Sequence, residues 1–197
     1  MTTIPDQDFA LITVDDLKTE FNIAATETAW DTRLRRLTRA VTSGIETYCC
    51  RKFIARTETL TFNGDGGDRL FVAPPIIIPP TPTITIDGTA LVSTTDFFVE
   101  KDTGIIRLNG HTFTENISNV VVVLRHGYER AALPGSIEMA AILWAADLFK
   151  LLSDDRHGQG SISHGDESVA FTNEAIPGRV LAMIQPYRMV RFGGMTP

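Results

Sequence analysis

The stretch WDTRLRRLTRAVTSGIETYCC, residues 30–50, decides the fold. Apolar side chains recur in it at intervals of three and four residues, the spacing that places them on one face of an α-helix. Because an apolar stripe of this length must be covered, we predict that other helices pack against it. The predicted buried face consists of Trp30, Leu34, Leu37, Val41, Ile45 and Tyr48, and the opposite side carries Arg35, Arg36 and Arg39.

Helical signals flank this segment on both sides. Upstream, Thr13 stands three residues before Asp16, the arrangement of an N-cap for a short helix. Downstream, Pro134 is typical of a helix start, and we predict a helix over residues 134–152. Its apolar face follows the same helical spacing and consists of Ile137, Ala141, Trp144, Leu148 and Leu151.

A fourth helix is predicted near the C-terminus. It begins at about Pro177, since proline is tolerated in the first turn, and it carries Val180 and Ile184 on one face. Pro186 should interrupt or kink it, because proline lacks the N–H that a helix interior requires. Before this helix, residues 153–173 are polar and rich in glycine, so we predict a mobile loop or ribbon there.

The central part of the chain has the composition of β-structure. Over residues 56–128, short runs rich in Thr, Val, Ile and Phe alternate with Gly, Asp, Asn and Pro, which is typical of antiparallel strands joined by turns. Asp87-Gly88 suits a tight turn, whereas PPIIIPPTP, residues 74–82, contains too much proline for a central strand. The sequence therefore predicts an α+β fold, in which an α-helical bundle of about four helices carries an inserted antiparallel β subdomain.

This pattern divides the chain into four parts. We predict the N-terminal helices of the bundle in residues 1–55, the inserted β subdomain in 56–128, and the C-terminal helices with the mobile loop in 129–185. Residues 186–197 form a basic, apolar tail. Such a tail suits a docking peptide, since aromatic, Met and Arg side chains combine contact area with charge. We expect it to be mobile in the free subunit.

Composition and charge restrict the class of function. With 197 residues, 43% of them hydrophobic, the chain can bury the core of one ordinary domain. Because no stretch resembles a signal peptide or a membrane helix, we expect a cytoplasmic protein. The adjacent Cys49 and Cys50 are poorly placed for a mutual disulfide or a zinc site. The net charge of −6 argues against sequence-independent binding of nucleic acid, although residues 29–56 carry seven Lys and Arg against two acids.

Catalytic and metal-binding motifs are weak. The sequence contains no Walker loop, Gly-x-Ser-x-Gly elbow or His-Glu-x-x-His helix. Asp102-Thr103-Gly104 matches the aspartic-protease tripeptide, but it lies between strand-like runs, where a turn is expected. Four residues of the polar segment have metal-ligand chemistry but no rigid element to hold them, so a surface loop is preferred: His157, His164, Asp166 and Glu167. We expect no enzyme activity, no cofactor and no metal.

Two further patterns have alternative interpretations. The glycine-rich NGDGGD, residues 63–68, is interpreted as a hairpin turn rather than a phosphate or calcium site. The two N-terminal helices could form a helix-turn-helix reader of DNA, although their connection NIAATET is longer than usual. Arginine is equally useful at a protein interface, so Arg33, Arg35, Arg36 and Arg39 are also candidate subunit-interface residues.

Several stretches together resemble one family, the head-tail connector (adaptor) proteins of tailed bacteriophages and gene transfer agents. They are ITVDDLKTEFNI, WDTRLRRLTRAVTSGIETYCCRKF, DFFVEKDTGIIRLNG, LPGSIEMAAILWAADLF and IPGRVLAMIQPYRMVRF. The most specific is the sequence Pro186, Tyr187 and Arg188, which ends a helix soon before the C-terminus. The chain departs from the family's pattern at KLLSDDRHGQG, where relatives often have an aromatic and charged run.

The resemblance implies a structural protein of the virion, assembled in the host cytoplasm. About a dozen copies would form a homo-oligomeric ring beneath the portal protein. This ring would extend the DNA channel without sequence-specific DNA binding, contact no membrane, and offer its lower surface to a tail-completion or stopper protein. The implied portal-interface residues are Pro186, Tyr187, Arg188, Met189, Val190, Arg191 and Phe192. The alternatives are a DNA-binding packaging component that uses the arginine helix, a tail-completion protein, and a hydrolase that uses the histidine loop.

Overall fold

The computed structural model describes residues 9–72, 74–93, 95–153, 161–164, 167–170 and 176–189. Helices occupy both ends of the described chain, and strands occupy its middle, as predicted. The chain divides into a helical unit, Met1–Cys49 with Pro134–Arg188, and a β unit, Cys50–Leu133 with Met189–Pro197. The helices are α1 (Val14–Glu20), α2 (Asp31–Cys49), α3 (Gly135–Ser153) and α4 (Gly178–Ile184).

Helix α1 begins with the N-cap that the sequence predicts. The Thr13 side chain accepts a hydrogen bond from the Asp16 N–H at 3.1 Å, and the Asp16 carboxylate accepts one from the Thr13 N–H at 2.7 Å. This reciprocal pair is a capping box, which satisfies two N–H groups at the start of the helix. The buried Lys18 then fixes the connection to α2, since its Nζ lies 2.7 Å from Asp31 Oδ1 and donates to the Ala25 carbonyl at 3.2 Å.

Helices α2 and α3 pack closely against each other in the helical unit. The predicted face of α2 is buried through its centre. A Cβ added to Gly44 would lie within 2.6 Å of Trp144 Cζ3, so only glycine allows this indole to lie so close to α2. Helix α2 ends at Cys49, and the next residue, Cys50, has a φ of 53°, the left-handed conformation common just beyond a helix C-terminus. The fully buried residues of the two faces are Leu34, Val41 and Ile45 on α2 and Ile137 and Ala141 on α3.

The C-terminal helix is confirmed, and its α-helical part ends at Ile184, just before Pro186. Val180 and Ile184 of α4 are fully buried, and the Cys49 thiol donates to the Ile184 carbonyl at 3.6 Å. A 3₁₀ turn, Gln185–Tyr187, follows α4 directly. Pro186 is accommodated at the start of this turn, where a missing N–H costs no hydrogen bond. Helical structure therefore continues past the residue at which we expected the tail to begin.

The described residues of the β unit form seven strands in two antiparallel sheets, which confirms the predicted antiparallel β-structure. The strands are β1 (Arg56–Gly64), β2 (Arg69–Phe71), β3 (Thr83–Ile86), β4 (Thr89–Ala90), β5 (Phe97–Glu100), β6 (Ile105–Leu108) and β7 (Asn116–His126). The sheet orders are β1-β7-β3-β4 and β2-β6-β5.

Both sheets of the β unit contribute to one core. Strand β7 pairs with β1 on one side and β3 on the other, and its side chains alternate between buried and more exposed positions. This alternation is the period of two expected for strands with one buried face. The fully or almost fully buried core residues include Leu70, Ile84, Phe97, Ile106, Phe113, Val120, Val122 and Leu124.

One expectation about connections was wrong. Residues 63–68 do not form a hairpin, because they lead from β1 to β2, which belong to different sheets. The segment 153–173, expected as a loop or ribbon, contains a two-stranded antiparallel ribbon, β8 (Ser161–His164) and β9 (Glu167–Ala170), so the helical unit is not purely helical. By contrast, Asp87-Gly88 forms the predicted tight turn between β3 and β4. No helix within the described ranges is long and apolar enough to cross a membrane.

Candidate interaction surfaces

The protease-like tripeptide is a structural turn. Residues 101–104 connect β5 to β6, and Gly104 adopts a φ of 72°. The Gly104 N–H donates to the Glu100 carbonyl at 2.9 Å, and the Thr103 hydroxyl lies 3.1 Å from Glu100 Oε2. These bonds close a hairpin, the role that the sequence favoured for Asp102-Thr103-Gly104.

The candidate metal ligands lie only partly within the described structure. His164 and Glu167 are opposite each other in the β8–β9 pair. His157 and Asp166 lie outside the described residues. Elsewhere in the described ranges, no three His, Cys, Asp or Glu residues are grouped as a metal ion would require.

The four arginines of α2 do not share one environment. Arg35, Arg36 and Arg39 are exposed, and the nearest carboxylate oxygen of Asp31 lies 4.0 Å from Arg35 Nη2. Arg33 instead is partly buried. The prediction grouped these four residues by their charge alone. In the structure Arg33 differs from the others because the helical rotation between residues directs its side chain toward α3.

Arg33 lies against an aromatic cluster that the sequence did not reveal. The ring of Phe21 stacks on Phe149, with centroids 4.4 Å apart and planes inclined by 18°. Trp30 meets the Phe149 ring nearly edge-on at 5.7 Å. The Arg33 guanidinium lies 5.7 Å from the Trp30 centroid and 5.6 Å from that of Phe149. Cation–π contacts of this kind restrict the orientation of the arginine as well as stabilising it.

An open apolar groove between α2 and α3 adjoins this cluster. Its volume is about 650 Å³, and Arg33 and Arg36 supply its positive charge. The predicted apolar face of α3 emerges from the core here, since Leu148 is only partly buried and Leu151 is 39% exposed. Helical periodicity predicted the face but not its exposed end. The groove is lined by Ala29, Thr32, Arg33, Arg36, Leu37, Ala40, Leu148 and Leu151.

The C-terminal candidate residues begin inside the helical unit. The Tyr187 hydroxyl lies 2.9 Å from the Ser136 Oγ of α3, and the Arg188 guanidinium lies 5.2 Å from the centroid of the Tyr48 ring. Pro186 is exposed, and Met189 is partly buried. The remaining candidates, Val190, Arg191 and Phe192, lie outside the described residues, as does the expectation that the tail is mobile.

The fold of this chain is also found in solved structures of gene transfer agent particles. The chain shares its fold with a chain from the "Neck of empty GTA particle computed with C6 symmetry", at 21% identity and a TM-score of 0.64, over 100% of this chain and 97% of the other. A chain from the "Virion of native gene transfer agent (GTA) particle" is similar at 20% identity and a TM-score of 0.61, again over 100% and 97% of the two chains. These likenesses establish the fold.

The family follows from the sequence itself. The head completion protein family matches residues 10–190, and the chain belongs to this family. A search among curated proteins gave no significant match. Membership confirms the resemblance to phage head-tail connectors and gives the chain a structural role in completing the head of a phage-like particle.

Proposed function

We propose that this protein is a head-tail connector of a tailed phage or a gene transfer agent, placed in the virion at the junction of head and tail. The match to the head completion family along residues 10–190 carries the proposal. The fold shared with a chain from the neck of a gene transfer agent particle supports it, because that likeness extends over the whole chain. The protein acts through binding surfaces rather than catalysis.

In this proposal, copies of the chain form a ring beneath the portal protein and extend the channel through which DNA passes. The ring offers its opposite surface to a tail-completion or stopper protein. The net charge of −6 supports a channel protein that does not retain DNA, since phosphate binding requires an excess of Lys and Arg. Subunits are assembled in the host cytoplasm without membrane contact.

Portal attachment is assigned to residues 186–192. The described contacts divide this segment, because Tyr187 and Arg188 are held by Ser136 and Tyr48 of the same unit. We assign these two residues to anchoring the base of the segment, with the exposed Pro186 at the bend. Docking on the portal then falls to the residues beyond, where apolar anchors and an arginine suit an acidic, partly apolar partner site: Met189, Val190, Arg191 and Phe192.

Electron microscopy of purified protein mixed with portal rings tests this proposal directly. We expect a second ring bound coaxially to the portal by the full chain and no second ring with a chain lacking residues 190–197. Substituting Arg191→Ala alone should weaken binding and increase its sensitivity to salt, because the arginine supplies charge attraction. Full-length protein that never binds portal rings, or that locates elsewhere in particles, would refute the connector assignment.

One observation favours a second candidate function, a DNA-binding packaging component. Arg35, Arg36 and Arg39 are all exposed on one side of α2, as a phosphate-binding helix requires. If this function is correct, duplex DNA should bind with submicromolar affinity at about 0.15 M salt, and Arg36→Ala should reduce both the affinity and its salt dependence. The connector proposal predicts weak binding under the same conditions.

A further inference from the structure

The groove between α2 and α3 is apolar within and positive at its edge, and no described segment of the helical unit fills it. Its walls carry Leu37, Leu148 and Leu151, and Arg36 is exposed beside them. Arg33 is held in place by its contacts with the two aromatic rings of Trp30 and Phe149. A preformed site of this kind loses little conformational entropy when it binds a partner.

The β unit presents a feature of opposite charge and matching chemistry. Strand β5 pairs with β6 on one side and forms an edge of its sheet among the described strands. Phe98, which is 55% exposed, and Glu100 project to the same side of β5 at alternate positions, and the turn residue Asp96 comes directly before the strand. Phe98 is thus an exposed aromatic side chain with a carboxylate two residues away on either side.

A short turn adds a second apolar group beside Phe98. The Val92 N–H donates to Asp96 Oδ2 at 2.7 Å, and the Asp96 N–H donates to the Val92 carbonyl at 3.0 Å. Val92 itself is 63% exposed. We call the four residues Val92, Asp96, Phe98 and Glu100 the β5 knob.

We infer that the β5 knob of one copy binds the α2–α3 groove of the next copy. Phe98 would contact the leucines, and the two carboxylates would face Arg33 and Arg36, so two negative charges meet two positive ones. Within the chain, Glu100 accepts a hydrogen bond from the Thr103 hydroxyl at 3.1 Å, and its nearest cation is Arg107 at 3.9 Å, an exposed and weak pair. This assignment rests on the proposed function, in which copies form a ring.

The contact joins two different surfaces and is therefore heterologous. Repetition of such a contact closes a ring or continues as a filament, whereas a contact between identical surfaces stops at two copies. A single aromatic anchor makes one contact weak, and closure of the ring stabilises it because each added copy is held on both sides. The groove and knob thus assign a polarity to the ring.

A photoreactive phenylalanine analogue at position 98 of the full chain tests the contact first. Irradiation of concentrated protein, and of protein assembled with portal rings, should crosslink this position to α2 or α3 of another copy, read out by mass spectrometry. Labelling the two halves of the sample with different isotopes separates crosslinks between copies from those within one copy. No crosslink between position 98 and the groove of another copy, in either sample, would overturn the inference.

Charge reversal tests the same pairing by sedimentation velocity. Arg36→Glu and Glu100→Arg should each weaken self-association by at least about tenfold, and the double variant should recover most of the loss. Arg35→Glu is the matched control, because Arg35 is exposed on the same helix but does not line the groove. Equal loss with Arg35→Glu, or no recovery in the double variant, would contradict the pairing.

Mixing two defective variants tests polarity. Arg36→Glu retains the knob and Phe98→Ser retains the groove, so their equimolar mixture should form dimers and nothing larger, whereas the wild-type chain proceeds to larger oligomers. Rings that persist in each variant alone would overturn the inference. Microscopy with portal rings distinguishes a failure of the groove–knob contact from a failure of the connector function. A ring that binds the portal but crosslinks through other surfaces would refute the contact and leave the connector function intact.

Discussion

The two units of the chain build their cores in different ways. The β unit takes its core from one continuous stretch, and both of its sheets supply residues to it. The helical unit is assembled from two stretches separated by the whole β unit, and its apolar faces continue beyond the core. At the end of those faces Trp30 and Leu151 are 36% and 39% exposed. The β unit also exposes apolar side chains, such as Phe98 at 55%, but at strand positions that alternate with its core. Both units therefore carry apolar surface that a partner can cover, and in the helical unit this surface continues the core faces.

The unfolding of the two units can be distinguished because one optical signal comes from the helical unit alone. Both tryptophans, Trp30 and Trp144, lie in the helical unit, so tryptophan fluorescence reports its unfolding. Far-ultraviolet circular dichroism reports both units together. Coincident transitions by the two methods would indicate a single cooperative fold, and separated transitions would indicate two.

The largest effect is expected from the core of the β unit. Ile106 is fully buried in the central strand of its sheet, opposite Leu70 and Val99. Ile106→Ala should lower the free energy of unfolding by about 2–5 kcal/mol, through lost apolar contact and the cavity left behind. Urea titration followed by circular dichroism measures this change.

The control is Ile117→Ala, because Ile117 is 80% exposed in the other sheet of the same unit. It should change stability by less than about 0.5 kcal/mol. If Ile106→Ala moves the dichroism transition and leaves the fluorescence transition in place, the units unfold independently. A loss as small as that of the control would show that this core tolerates a cavity there.

A smaller effect is expected where α2 and α3 meet. Gly44→Ala should destabilise the helical unit by about 1–3 kcal/mol, because the added Cβ would overlap the Trp144 ring. Helix propensity alone predicts the opposite sign, a gain of about 1 kcal/mol for alanine over glycine. Urea titration followed by tryptophan fluorescence measures the result. Ser43→Ala, at an exposed position of the same helix, controls for propensity, and an equally stable Gly44→Ala variant would mean that the helices can separate slightly.

Sequence periodicity predicted the elements well because each depends on local spacing. The burial of the α2 face, the Thr13 cap and the presence of antiparallel strands in the middle of the chain follow from residues close in the chain. The pairing partners of short strands do not follow from nearby residues. The sequence predicts a hairpin at residues 63–68, but this segment connects two different sheets. A run of three or four alternating residues fits many neighbours, so its sheet is decided by tertiary packing.

The interaction surfaces were harder to predict for the same reason. Periodicity put Leu151 on the apolar face of α3 but could not tell a buried position from an exposed one. It missed the stacking of Phe21 on Phe149, because Phe149 lies off the predicted face and meets a residue distant in sequence. The sequence predicts that Pro186 interrupts or kinks the helix, but not that a 3₁₀ turn accommodates it.

The smallest effect concerns the end of the helical unit. If the tail were mobile from Pro186 onward, as the sequence predicts, removal of residues 187–197 would leave thermal unfolding almost unchanged. In the structure Tyr187 bonds to Ser136, and Arg188 lies over Tyr48. A chain ending at Pro186 should therefore be less stable than a chain ending at Met189 by about 1–2 kcal/mol, from one hydrogen bond and one cation–π contact.

Calorimetry on the two shortened chains measures this difference, and both lack the same residues 190–197, so any contribution of that segment cancels. Tyr187→Phe in the full chain isolates the hydroxyl and should cost about 1 kcal/mol, because the Ser136 Oγ then loses its partner at 2.9 Å. Equal stability of the two shortened chains would mean that Tyr187 and Arg188 do not stabilise the helical unit, and it would contradict their role as an anchor. A difference of the expected size, together with lost portal binding by both, would separate the anchor of the segment from the part that docks.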